Sequence, residues 1–102
     1  MKEIKLLMEH IEDEVQDART YAKLALEYRE EDHETAEVFY KLSCEEMDHM
    51  NRLHKAVVRI IDEHRRTKGE PPADMMAVYR YLHNRAMDEA EEVEVLQNMY
   101  RK

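Results

Sequence analysis

Glu46 and His49 are the two residues of this chain whose types and spacing most clearly could do chemistry. Three residues apart, they share one face of a helix. That face is the apolar seam Thr35, Phe39, Leu42, Glu46, His49, Leu53, Ala56, Ile60, which steps by four and three residues in turn. A bundle-forming helix buries such a stripe. Two consecutive positions of it are an acid and an imidazole. An unpartnered carboxylate costs several kcal/mol to bury, on the order of 2–7 for polar groups and more for charges. A metal ion is the simplest partner that would satisfy both side chains at once.

Each of the other two seams is interrupted in the same way. The first reads Ile4, Leu7, Ile11, Glu14, Ala18, Tyr21, Ala25, Tyr28, with Glu14 the one charge. The third reads Met75, Tyr79, Leu82, Ala86, Glu89, Val93, Leu96, Tyr100, with Glu89 the one charge and Glu92 bordering the same face one turn on. A lone buried polar residue often does no more than fix register in a coiled coil. Depth argues for more here. Glu14 lies about 17 residues before the first connection and His49 about 17 after it, so an antiparallel pair places them at one level. From the second break, Glu46 and His49 lie about 24 and 21 residues back, and Glu89 and Glu92 about 18 and 21 forward, again agreeing within a turn. Several carboxylates in one core layer repel unless protons or cations are shared. Oxygen donors with one imidazole suit iron or manganese, and zinc would also accept them. Four acids outnumber the needs of one ion, so two bridged metals fit better than one.

The elements that must position these residues are long helices. Charged residues make up 39% of the 102-residue chain and hydrophobic ones 43%, with one Gly and two Pro. So few breakers exclude a sheet-rich fold. The spacing predicts helices over roughly 2–29, 34–67 and 73–101. Arg29 to His33 forms the first connection, and Thr67 to Pro72, with Gly69, Pro71 and Pro72, the second. Short connections between helices of about 45 Å require antiparallel neighbours. No linker or second domain is visible, so residues 1–102 read as one all-α domain.

The net charge of −8 argues against nucleic acid as a partner. No apolar run reaches the ~20 residues that span a membrane, and no basic-then-apolar leader opens the chain, which makes the cytoplasm the expected compartment. The single cysteine, Cys44, excludes an intramolecular disulfide and a Cys-rich iron site within the chain. His10, His33, His54, His64 and His83 are expected to be solvated, in the connection or bordering the core. The methionines, Met99 included, read as flexible core filler.

The string Ala36-x-x-Phe39, then Glu46-x-x-His49-x-x-Arg52-Leu53-x-Lys55, resembles the second-helix ligand region of the rubrerythrins, in the ferritin-like superfamily. Glu14, Ala18-Arg19 and Tyr21 resemble the first helix of that family, and Glu89-Ala90-Glu91-Glu92 its third-helix Glu-x-x-Glu. The resemblance implies a ferritin-like di-iron protein. Glu14 would be a terminal ligand, Glu46 a bridging one, and His49 a ligand in at least one redox state. Glu89 and Glu92 would be third-helix ligands, and Tyr21 would hydrogen-bond near the site.

The family carries a fourth helix with a second Glu-x-x-His, and many members a rubredoxin tail, neither of which follows Lys102 in this sequence. The expected remedy is a homodimer or larger homo-oligomer. Helices 1 and 2 of two chains would form the four-helix bundle, with four Glu and two His, as in small encapsulated ferritins. The implied activity is oxidation of Fe(II) by oxygen or peroxide, with an external electron donor that the sequence does not identify. The alternative is a helical binding or assembly module that keeps the scaffold with a structural or empty metal site.

Overall fold

Asp32 sets the start of the second helix in the computed structural model, which describes residues 2–102. Its carboxylate accepts from the Thr35 backbone N–H at 3.1 Å and from the Thr35 hydroxyl at 2.6 Å, an N-cap that satisfies an otherwise unpaired donor. Gly69, at φ 86°, ends that helix in a conformation that costs a side-chain-bearing residue, and Pro71-Pro72 precede the next. The result is α1 (Lys2–Tyr28), α2 (His33–Lys68) and α3 (Ala73–Arg101), with no strand among the described residues. The bounds lie within a residue or two of those predicted. His33, expected in the connection, instead opens α2 because Asp32 caps one residue before it.

The helices run up, down and up in a rod of 55 × 19 × 18 Å. Ser43 bonds to Ala18, and Tyr28 packs on Phe39, so α1 and α2 are antiparallel. Glu12 pairs with Arg85 and Arg19 with Glu92, so α3 runs parallel to α1. α1 packs most extensively on α2, then on α3, while α2 and α3 meet sparingly. None of the described helices is long and apolar enough to cross a membrane.

α1 buries Ile4, Met8, Ile11, Val15, Ala18, Ala22 and Ala25. Burial of large apolar groups supplies most of the driving force for such packing. α2 corrects the predicted seam. Its buried residues are Ala36, Ser43, Met50, Val57 and Ile61, each one position on from the predicted Thr35, Leu42, His49, Ala56 and Ile60. One residue is about 100° around a helix. α2 turns this stripe to the line where all three helices meet, and small residues there let the backbones approach. The predicted seam, with Phe39, Leu42 and Leu53, is only half-buried, on the side of α1 and α2 away from α3.

A buried polar chain ties the three helices together. The Ser43 hydroxyl donates to the Ala18 carbonyl at 2.7 Å, and Gln97 Nε2 donates to Ser43 Oγ at 2.9 Å. Two further expectations are corrected. His54 is half-buried rather than solvated, because its ring stacks on His83 at 4.9 Å between centroids. Met99 is 51% exposed rather than core filler, because it lies on the face of α3 turned away from α1 and α2.

Candidate metal centre

Antiparallel packing brings the middle of α1 level with the middle of α2, and three side chains meet there. Glu14 Oε2 lies 3.4 Å from His49 Nδ1, and Glu46 Oε1 lies 3.7 Å from the same nitrogen. One ligand atom from each of Glu14, Glu46 and His49 lies within 4.8 Å of the others. The two carboxylates are largely sheltered, and the imidazole is half-exposed. Val15 and Ala18, beneath Glu14 on α1, are fully buried and hold the helix against α2.

The electrostatics of the cluster are those of a site short of positive charge. The Glu46 carboxyl is pushed up to about 7, first by the hydrogen bond it shares with Glu14, then by burial and by the Glu14 charge; His49 pulls the other way. Asp17 adds a smaller upward push. Two nearby acids in a sheltered place resist simultaneous ionisation. With both acids ionised, Glu14 Oε2 is buried without a hydrogen-bond partner, His49 Nδ1 lying 3.4 Å away. Such an orphaned acceptor is costly and calls for a partner. Two hard oxygen donors and one imidazole nitrogen converging on one point fit iron or manganese, and also zinc.

The structure does not bring Glu89 and Glu92 to this cluster. Glu92 forms an ion pair with Arg19 at 2.8 Å, and Glu89 lies 3.6 Å from Arg85 Nε. Both sit near the predicted level, but α3 flanks α1 along Met8, Glu12 and Arg19, and α2 along Met47, Met50 and His54. The cluster faces the other way. Tyr21 stacks on Phe39 at 6.2 Å between centroids, and Tyr28 meets the same ring at 6.1 Å. Tyr21 is thus placed by aromatic packing on the same half-buried stripe as Glu14. His10 is exposed, and His64 Nδ1 lies 3.0 Å from the Gly69 carbonyl oxygen. Asp17 is the residue near the site that sequence reasoning passed over. Its position three residues after Glu14, on the same side of α1, was the available signal.

Comparison with protein-family models, curated proteins and solved structures finds no match to this chain.

Proposed function

We infer that the chain is a non-haem iron protein of ferritin-like, rubrerythrin-like type, whose copies pair through the α1–α2 face to complete a di-iron site and oxidise Fe(II) with oxygen or peroxide. The observation that carries this reading is the convergence of Glu14, Glu46 and His49, with a buried carboxylate oxygen left unpartnered. The half-buried stripe around them supports the pairing. Leu7, Tyr21, Phe39, Leu42, Leu53 and Ile60 leave large apolar groups partly in water on the face that holds the acids. Two-fold pairing of that face would place four Glu and two His together, the complement of a carboxylate-bridged pair of metals.

Each residue has a definable part. Glu14 and Glu46 supply the negative charge that neutralises Fe(II), and Glu46 gives up its proton as the cation arrives, so affinity rises with pH through about 7. His49 would bind as the neutral imidazole, adding one nitrogen donor to the two carboxylates. Phe39, Leu42 and Leu53 exclude water once a second copy covers them, which strengthens the electrostatics inside. The iron pair, when bound, supplies the electrons and the place where the oxidant is reduced. Zinc at the same donors, having no redox chemistry, would give a bound but inactive protein.

The test is anaerobic Fe(II) titration followed by exposure to air, with oxygen uptake recorded. The parent protein is expected to bind iron and consume oxygen, and Glu46→Ala to lose both. A second reading, a helical assembly module with an empty or structural site, draws on the same apolar stripe, which would pair whatever the acids hold. Under it, Glu46→Ala relieves a buried charge, raises stability and leaves pairing intact, while the parent binds no iron.

A further inference from the structure

α2 and α3 meet at few places, and one of them is a pair of histidines. The His54 and His83 rings stack at 4.9 Å between centroids and 22° between planes, and both are half-buried. Further along the same antiparallel line, Gln97 donates to Ser43 and Tyr100 stacks on Tyr40. That register sets Met50, one turn before His54, level with Met87, one turn after His83. Both methionines line one groove between the two helices. Residues four apart on a helix are neighbours, about 5–6 Å between Cβ atoms. Two imidazoles and two thioethers thus occupy two adjacent turns on the facing sides of α2 and α3.

This donor set carries no negative charge. Positions three and four residues from either histidine hold no acid. Glu12, which α1 places beside Leu82 and Ala86, is held in an ion pair by Arg85. Burial, and then His83, hold the His54 imidazole below its ordinary value, so its nitrogen lone pair is free at neutral pH. The ring spacing also fits a shared ion. A metal–nitrogen bond of about 2.0–2.1 Å puts the ring centre about 3.2 Å from the metal, so two imidazoles at a tetrahedral angle have centres about 5.2 Å apart. The helices already hold the two rings close to that separation. The outer torsion of a histidine is broad, so both rings can turn a nitrogen to one point with the helices in place.

We propose that His54, His83, Met50 and Met87 form a soft-metal site that takes one Cu(I) ion. Thioether sulfur selects Cu(I) over iron and manganese. Neutral donors in a sheltered place also favour a monovalent ion over a divalent one, whose larger charge they leave uncompensated. The chain then sorts metals by donor, with carboxylate oxygens at Glu14 and Glu46 and sulfur with nitrogen between α2 and α3. The two sites share no residue, and this one stands whether or not the other holds iron.

The test is anaerobic titration of the metal-free protein with Cu(I) in competition with bicinchoninate, with NMR of methionine methyls and histidine rings on the same samples. Cys44→Ser is the background throughout, because a thiol takes Cu(I) by itself. One Cu(I) per chain is expected. Its arrival should shift the Met50 and Met87 methyls and the His54 and His83 rings, and leave Met76 and Met99 in place. Met50→Leu and Met87→Leu keep the volume and apolar character of the side chain. Each should weaken Cu(I) binding at least about tenfold, with helicity by circular dichroism unchanged. Failure to hold Cu(I) against the competitor overturns the proposal. So does binding of parent strength in both leucine variants, which would mean other donors. Ring shifts confined to His49 would place the ion at the acid cluster and overturn it as well.

Discussion

Replacing Glu46 by Gln should make the metal-free protein's stability less sensitive to pH, and the size of the effect can be worked from the site. In the folded chain the Glu46 carboxyl is raised from 4.5 to about 7. Each tenfold change in proton affinity is worth about 1.4 kcal/mol, so the full rise corresponds to about 3 kcal/mol. The sign follows from which state holds the proton. Between pH 4.5 and 7 the folded state keeps it and the unfolded state releases it, so this group lowers stability as pH rises through that window. Below about 4.5 both states are protonated and the group is neutral in its effect. Above about 7 the folded chain carries an ionised Glu46 beside Glu14, and the full cost is present. Glutamine has the same shape, retains a donor toward Glu14 and never ionises. The stability difference between Glu46→Gln and parent should therefore be small at about pH 4.5 and grow to an upper value of about 3 kcal/mol at about pH 8. Urea denaturation of both proteins at several pH values, in a chelator, measures it. Acids that do not interact with Glu46 cancel in the difference. A difference that stays flat from about pH 5 to 8 would refute the claim that Glu46 and Glu14 share a sheltered, cation-poor site.

Further expectations follow from the packing. Ser43→Ala leaves the Ala18 carbonyl and Gln97 unpaired in the core and should cost about 1–3 kcal/mol in chemical denaturation, more than Gln97→Leu with its better-matched apolar surface. Ile11→Ala, at a position 2% exposed, should cost about 2–5 kcal/mol by the cavity it leaves. Asp32→Ala removes the cap of α2 and should cost about 1 kcal/mol, read as a drop in thermal midpoint. The His54 imidazole is held below its ordinary value by burial and then by His83, so its contribution to stability is present above about 6.5 and is lost as pH falls. His83→Ala should raise the His54 titration midpoint in an NMR titration, and an unchanged midpoint would mean that burial alone sets it.

The parts of the fold legible in the sequence were those that counting decides. The end of α2 and the start of α3 follow from Gly69 and the two prolines, whereas the Asp32 cap, which starts α2 one residue early, falls in the stretch that reads as connection. The level of Glu14 and His49 follows from distance to the first turn, and their side chains do meet at 3.4 Å. The parts that were not legible concern rotation about the helix axis. Ala36 and Ser43 are small or polar and contribute little to an apolar stripe, yet they occupy the line where three helices meet. Phe39, Leu42 and Leu53 dominate the sequence pattern but lie on a side that the chain leaves half-open. Glu89 and Glu92 lie near the expected depth because depth is a sum of rises. They turn to Arg85 and Arg19 because which side of α1 receives α3 is fixed by packing, not by spacing along α3. Met99 is apolar but exposed, since α3 divides its apolar residues between two faces.

Native mass spectrometry after anaerobic Fe(II) loading tests the central claim most directly, because it counts chains and irons in one spectrum. A site shared by Glu14, Glu46 and His49 of two chains predicts two irons for every two chains, and none bound to a single chain. Two irons on each chain would contradict a site shared between two chains. A spectrum with no bound iron would contradict the iron reading altogether and leave a helical assembly module.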